Sequence, residues 1–131
     1  MKKITITEMN SKKEDFNTTE DGLKEILSNL VKPIARIVIL EIADEGNFTL
    51  GIGLPYGYIE FSKDGQPPYL AAVNETHLYS PDSYKEIEFD ANGTPTPLLF
   101  KNCFLYEQII EIIIYFFNNN TLPQFVKWEN I

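Results

Sequence analysis

The sequence predicts an α+β fold in which an antiparallel sheet of about seven strands carries two helices on one face. Segments rich in β-branched and aromatic residues outnumber helical ones, and turns such as Asp64-Gly65 and Asn92-Gly93 join many of them. Two segments have the periodicity or the length of helices, one early and one late in the chain. Strands joined by hairpin turns pair antiparallel and leave one face for helices, so the expected order is β-α-β(6)-α-β. At 131 residues the chain is expected to form a single domain over residues 1–131.

The first part of the chain is predicted to form a strand, a loop and an amphipathic helix. In Lys3–Met9 isoleucines alternate with threonines, as in a half-buried strand, and the polar segment Asn10–Asn17 is predicted to be a loop. Thr18 or Thr19 can cap the helix that follows, and Pro33 ends it. The apolar stripe of this helix, at helical spacing, consists of Leu23, Ile26, Leu27, Leu30 and Val31.

The middle of the chain is predicted to consist of strands paired through turns. The predicted strands are Ala35–Ile42, Phe48–Leu54, Gly57–Ser62, Tyr69–Asn74, Lys85–Asp90 and Thr94–Phe100. The segments with turn composition are Asp44–Asn47, Lys63–Pro68 and Ala91–Gly93. Glu75–Tyr84 has no clear period and is predicted to be an exposed loop. Pro95 and Pro97 remove backbone donors, which places the last of these strands at an edge of the sheet.

A long apolar segment near the end of the chain is predicted to be a helix buried against the sheet. It follows Asn102, a candidate N-cap, and ends at Asn118–Asn120, because asparagine tolerates the left-handed conformation that closes helices. Its solvent edge is expected to be the stripe formed by Glu107, Glu111 and Asn118. After Pro123, the alternating segment Gln124–Glu129 is predicted to be a short last strand.

The acidic charge of the chain is concentrated in its central segment. The net charge is −8; residues 41–111 hold twelve acidic and three basic residues, whereas the rest of the chain holds seven and eight. Phosphates would be repelled, so nucleic-acid binding is not expected. A basic protein partner would be attracted, although an acidic surface can also serve solubility alone.

The residues that usually carry chemistry are few, and their placement does not indicate catalysis. His77 lies in the predicted loop without a second metal ligand nearby, and Cys103 lies in the predicted apolar helix, where we expect it to be buried and unreactive. No common nucleophile or phosphate-binding motif occurs. We therefore expect no catalytic residue, no metal and no cofactor. A single cysteine, the lack of an apolar leader segment and the lack of a membrane-length apolar run favour the cytoplasm.

From Phe116 to Trp128 the chain resembles the C-terminal signature of a bacterial immunity family. The segment reads Phe-Phe, three asparagines, Thr, Leu-Pro, Gln-Phe, Val, Lys and Trp. It is similar to the first-numbered immunity family of polymorphic toxin systems, whose members are small α+β domains that block a toxin and are often encoded beside nucleic-acid deaminase toxins. Asn120 stands where that family usually has glycine, and Lys101 stands where it often has proline. The apolar members of the signature, expected in the core, are Phe116, Phe117, Leu122 and Trp128.

The resemblance implies a protein that binds a cognate toxin domain and occludes its active site without any catalysis. A toxin that acts on nucleic acid needs a basic groove, which an acidic partner can occupy. Carboxylates and tyrosines on predicted turns and loops are the candidate contacts, because tyrosine combines a large surface with a polar tip. The candidate partner-binding residues are Asp44, Glu45, Asp64, Tyr69, Glu75, Tyr79, Asp82 and Tyr84.

Two other functions stay open. Gly51 and Gly53 leave one face of a predicted strand bare, and together with Tyr56 and Tyr58 they could line a pocket in a small-ligand-binding or regulatory module. The second alternative is an enzyme whose site no known motif marks.

Overall fold

Ten strands and three α-helices form within the residues that this computed structural model describes, 1–8 and 12–131. The strands are β1 (Lys2–Glu8), β2 (Lys13–Thr18), β3 (Arg36–Ile42), β4 (Gly46–Ile52), β5 (Tyr56–Ser62), β6 (Leu70–Val73), β7 (Glu86–Ala91), β8 (Thr94–Leu99), β9 (Cys103–Leu105) and β10 (Lys127–Asn130). The helices are α1 (Glu20–Asn29), α2 (Glu75–Leu78) and α3 (Tyr106–Asn119). The predicted α+β class with an antiparallel sheet is confirmed, although the sheet has more than seven strands and there is a third, short helix.

Seven strands lie side by side in the order β10-β6-β5-β4-β3-β1-β2, and all of these neighbours are antiparallel. The short β9 pairs with the first half of β5. The β7–β8 hairpin joins the sheet through one parallel bridge between Arg36 and Asp90. Among the described strands β8 pairs only with β7, so the edge position predicted from its prolines is confirmed.

The main core lies between the sheet and the helices α1 and α3. Alternate residues of β3 and β4 face these helices and are fully buried, and the Phe48 ring meets the Phe116 ring edge-on with 5.1 Å between centroids. The buried hydroxyl of Tyr106 donates a hydrogen bond of 2.6 Å to the carbonyl oxygen of Leu27, which ties α3 to α1. Each fully buried apolar side chain contributes about 1.5–3 kcal/mol, so this layer dominates the stability of the fold.

The opposite face of the sheet is partly covered by the β7–β8 hairpin. Phe89 of β7 is 1% exposed and packs in a second core with Tyr58 and Cys103. A Cβ atom at Gly51 would lie 2.8 Å from the Phe89 ring. Glycine is therefore required at this position because the ring approaches the strand so closely.

The long helix begins later than predicted. Asn102 is not its N-cap: this buried side chain donates to the carbonyl oxygen of Ala72 at 3.0 Å and to the carboxylate of Glu129 at 3.1 Å. Residues 100–102 form a 3-10 turn, and Cys103 lies in β9 rather than in the helix, because residues 103–105 complete the pairing of β5. The predicted end is confirmed, since Asn120 closes α3 with a φ of 58°.

Three other predicted boundaries differ from the structure. The predicted loop Asn10–Asn17 contains most of β2, an edge strand that pairs with β1; residues 9–11 of the predicted strand and loop lie outside the described residues. The predicted loop Glu75–Tyr84 contains α2, whose N-cap is the Asn74 side chain. The last strand starts at Lys127, because its partner β6 has only four residues. Of the signature residues, Phe116 and Phe117 are buried, and Leu122 and Trp128 are half-buried against the core.

Candidate partner-binding surface

Four of the eight predicted contact residues lie together at one end of the sheet. The β3–β4 turn carries Asp44 and Glu45, and the loop between β5 and β6 carries Asp64 and Tyr69. Antiparallel pairing of β4 with β5 places Asn47 opposite Ser62, which brings the turn and the loop side by side. We call this region, residues 41–47 and 63–64, the acidic end.

The backbone of the acidic end is held by local hydrogen bonds. Asp44 has a φ of 63°, a left-handed conformation that aspartate tolerates better than most residues. In the neighbouring loop, the carboxylate of Asp64 accepts from the backbone N–H of Gln66 at 3.1 Å, and the Tyr69 hydroxyl donates to the carbonyl oxygen of Gly65 at 3.2 Å. The carboxylates are therefore presented by ordered turns.

The acidic end forms a shallow depression with a strong excess of negative charge. Its volume is about 450 Å³, and its ionisable lining residues are Glu41, Asp44, Glu45, Lys63 and Asp64. None of the four carboxylates makes an ion pair within residues 1–8 and 12–131. Lys63 is the only basic residue among the described lining residues, and Lys3 lies on the neighbouring strand, where its carbonyl oxygen accepts from the backbone N–H of Ala43 at 3.1 Å. Four carboxylates outnumber these two lysines, so a negative field remains for an external cation.

The other four predicted contact residues lie beyond the opposite end of β6. Glu75 is the first residue of α2, and Tyr79 caps the C-terminus of that helix with its side chain 80% exposed. Asp82 and Tyr84 follow in an exposed turn, where the ammonium of Lys101 lies 5.7 Å from the centre of the Tyr84 ring. These residues are accessible but more loosely grouped than those at the acidic end.

The eight residues therefore form two groups and not one continuous surface. Strand β5, which runs from Tyr56 to Ser62, lies between them. At about 3.3 Å per residue the separation is about 20 Å. The loops that carry these residues are attached to opposite ends of the same strands, so a partner would meet the two groups separately.

A cleft that the sequence did not indicate lies beside Glu75. It has a volume of about 320 Å³ and lies between α3, the start of α2 and the turn before β10. Its floor consists of apolar side chains, and its rim carries charged, amide and aromatic groups. The lining residues that matter below are Val73, Phe104 and Ile112 on the floor and Glu75, Gln108, Glu111, Phe125 and Lys127 on the rim. We call this feature the α3 cleft.

The walls of the α3 cleft are held in place by specific contacts. The Asn74 side chain donates to the carbonyl oxygen of Cys103 at 3.0 Å and accepts from the backbone N–H of Thr76 at 3.1 Å, which fixes the start of α2. The Gln108 side-chain oxygen accepts from the backbone N–H of Leu105 at 3.1 Å. Phe125 is 63% exposed, yet its ring packs edge-on against Tyr115 with centroids 5.7 Å apart.

Sequence reasoning missed the α3 cleft because its walls are far apart in the chain. The sequence predicts Glu111 at the solvent edge of a helix and Phe125 in a strand. In the structure Phe125 lies in a turn, so its side chain is not paired with a neighbouring strand. Only the positions of α2 and α3 relative to that turn reveal that these residues face one another.

The side chains of His77 and Cys103 are engaged in packing and hydrogen bonding within the fold. The His77 ring stacks on the Phe100 ring with centroids 3.6 Å apart, and its Nδ1 lies 3.0 Å from the carbonyl oxygen of Phe100. Cys103 is fully buried, and burial raises the pKa of its thiol to about 12, so the thiolate is scarce at neutral pH. Among the described residues no group of three or more potential ligands is arranged to hold a metal ion.

The glycines predicted to open a ligand pocket are instead covered by the β7–β8 hairpin. The Phe89 ring lies against both Gly51 and Gly53. Tyr58 is buried beside that ring, and its hydroxyl donates to the carboxylate of Glu60 at 2.9 Å. Burial, followed by the nearby Glu60 carboxylate, raises the pKa of Tyr58 well above its ordinary value. The space over these glycines is part of the second core.

Comparison with known proteins leaves the resemblance to immunity proteins as a hypothesis. No protein-family model matches the chain, and a search of curated proteins found no match. Within the described residues, no helix has both the length and the apolar character needed to cross a membrane.

Proposed function

We propose that this protein is an immunity protein that binds a basic toxin domain and blocks access to its active site. The observation that carries the proposal is the acidic end, where four carboxylates without ion pairs in the described chain surround one depression. The class of partner comes from the resemblance of residues 116–128 to the immunity-family signature. A cytoplasmic location follows from the same proposal, since a toxin delivered into the cell is met there.

Occlusion requires no chemistry from the inhibitor. Opposite charge accelerates the encounter of the two proteins, by roughly 10-fold to 1,000-fold for strongly steered pairs. The sheet behind the acidic turns holds their backbone, so little backbone conformational entropy is lost when the carboxylates meet a basic groove. A bound protein domain then excludes nucleic acid from that groove by its volume.

The charge of the acidic end can be tested in a variant that preserves its backbone. The triple variant E41K/D44N/E45K keeps a residue that tolerates positive φ at position 44 and moves the net charge from −8 to −3. We expect its association rate with the toxin domain encoded by the neighbouring gene to fall by at least about tenfold at low salt. Stopped-flow or biolayer measurements over a series of salt concentrations would show this difference shrinking as salt rises.

A matched control changes the same charge elsewhere. The variant D21N/E25K/E107K alters three exposed helical residues and also carries a net charge of −3. It should retain most of the association rate and should protect cells that express the toxin. Equal losses in both variants would show that the net charge, and not the acidic end, determines the association rate. Failure of the unaltered protein to bind the neighbouring toxin or to protect against it would overturn the proposed function.

A further inference from the structure

We propose that the α3 cleft is a second contact site, which receives an arginine side chain of the protein partner. This inference rests on the proposed function for its partner but on separate residues for its site. The floor of the cleft is apolar and its rim carries carboxylates and an aromatic ring. An arginine has an apolar stem and a planar cation, and both parts must find suitable surroundings when it is buried.

The floor suits the stem of the side chain. Val73, Phe104 and Ile112 are 4%, 6% and 1% exposed, so they are fixed parts of the core and offer a small apolar surface at the bottom of the cleft. The volume of about 320 Å³ lies at the lower end of the range for ligand pockets, about 300–1,000 Å³. That volume is sufficient for one or two side chains.

The rim suits the cation. Glu75 on α2 and Glu111 on α3 approach the cleft from two elements, and neither makes an ion pair in the part of the chain that the structure describes. Among the described residues, Lys127 is the only basic one that lines the cleft, which leaves an excess of one negative charge. Guanidinium groups pair with carboxylates through two parallel hydrogen bonds, which a simple ammonium cannot do.

The exposed aromatic ring adds a preference for arginine. Phe125 is 63% exposed on the rim, and its contact with Tyr115 holds it there. A single exposed phenylalanine is ordinary on a protein surface, so what matters here is the position of the ring on the rim beside two carboxylates. The planar guanidinium of an arginine can stack on the face of this ring, which adds a cation–π attraction to the burial of apolar surface.

The cleft can be tested without any toxin. In the full-length, isotope-labelled protein, we expect N-acetyl-arginine amide to shift the backbone NMR signals of residues 74–76, 108–112 and 125–127 in a saturable manner. N-acetyl-citrulline amide, which has nearly the same shape but no charge, should not. The variant E75Q/E111Q should lose the response, whereas E25Q/E107Q, which removes two exposed carboxylates outside the cleft, should keep it. Shifts that are absent, or scattered over the surface, would contradict the inference.

The role of the cleft in the complex is tested separately. We expect E75Q/E111Q to weaken binding to the neighbouring toxin domain by about 10-fold to 100-fold, mainly through faster dissociation, and F125A to weaken it by about tenfold. E25Q/E107Q should bind as the wild type does. If arginine amide binds in the cleft but the toxin complex is indifferent to E75Q/E111Q, the cleft serves a free small cation and the inference is wrong. If wild-type protein does not bind the toxin, the proposed function fails, and the arginine titration still decides whether the cleft accepts this cation.

Discussion

Asn120 shows how a single backbone angle determines where an element ends. Its φ of 58° closes α3, its backbone N–H donates to the carbonyl oxygen of Phe116 at 2.8 Å, and its side chain accepts from Lys2 at 2.7 Å. A residue with a Cβ and no local hydrogen bond pays about 1–2 kcal/mol for this conformation.

We expect N120A to lower the free energy of unfolding by about 1–2 kcal/mol, and N120G to leave it within about 0.5 kcal/mol of the wild type. Urea unfolding monitored by tryptophan fluorescence would measure both. An equal loss in the two variants would show that the hydrogen bond with Lys2, and not the backbone angle, is what asparagine supplies.

Glu8 and Arg36 form the other residue-scale contact with a measurable consequence. The guanidinium of Arg36 donates to both carboxylate oxygens of Glu8, at 3.0 and 2.8 Å, and to the carbonyl oxygen of Leu30 at 2.6 Å. The hydrogen bond from Arg36 holds the pKa of Glu8 below its ordinary value of 4.5, and partial burial opposes the shift. A carboxyl whose pKa is lowered by folding stabilises the folded state above its ordinary pKa and loses that contribution as the pH falls through the folded value.

We therefore expect E8Q to lower the free energy of unfolding by about 1–2 kcal/mol near pH 7. The difference from wild type should begin to shrink below about pH 4.5, where the carboxyl of the unfolded chain takes up its proton, and should vanish as the pH falls through the lower pKa of the folded protein. Urea unfolding at several pH values would test this. The exposed Glu25 provides a control, and E25Q should differ little from wild type at any of these pH values.

At the scale of elements, the β7–β8 hairpin depends on the fit of one ring against one glycine. Phe89 is almost fully buried, and a Cβ at Gly51 would be 2.8 Å from its ring and 3.0 Å from the Cβ of Tyr58. In the part of the chain that the structure describes, a single bridge joins the hairpin to the neighbouring strand β3, so side-chain packing contributes more than backbone pairing to its attachment.

This attachment predicts a non-additive pair of substitutions. F89L should cost about 1–2 kcal/mol and G51A about 1–3 kcal/mol, since leucine fills the space less well and alanine overfills it. The double variant G51A/F89L should lose less than the sum, because the smaller side chain makes room for the added methyl group. A double-mutant cycle by thermal or urea unfolding measures the difference, and strict additivity would mean that the two residues are not coupled.

The elements that could be predicted are those with a strong local pattern. The first part of the α1 stripe (Leu23, Ile26 and Leu27), the cap at Thr19 and the end of α3 at Asn120 depend on neighbours in the chain, and they are found where expected. Leu30 and Val31 of the predicted stripe lie beyond the end of α1, although they pack against the core. The start of α3 could not be predicted, because β9 is a strand only by virtue of its pairing with β5. For the same reason β2 was missed: its polar residues resemble a loop, and pairing with β1 makes them an edge strand.

At the scale of the whole molecule, the candidate site was predictable in its composition but not in its arrangement. Exposure of the acidic and aromatic residues follows from their position in turns, which the sequence indicates. Which turns are neighbours depends on strand register, and register is set by contacts between distant segments. Hence Asp44 and Asp64 are adjacent, whereas Glu75 lies at the far end and shares its cleft with Glu111 and Phe125.

The acidic end and the α3 cleft lie at opposite ends of β5, and this has a consequence for partner recognition. Because a sheet barely changes length, the distance between the acidic end and the α3 cleft is fixed. A partner that engages both must carry its positive groups at a matching span, whatever its own fold. Substitutions in the turns then change which partner is bound without changing the distance between the two sites. Relatives of this protein with the same sheet are expected to differ in their partners through these turns.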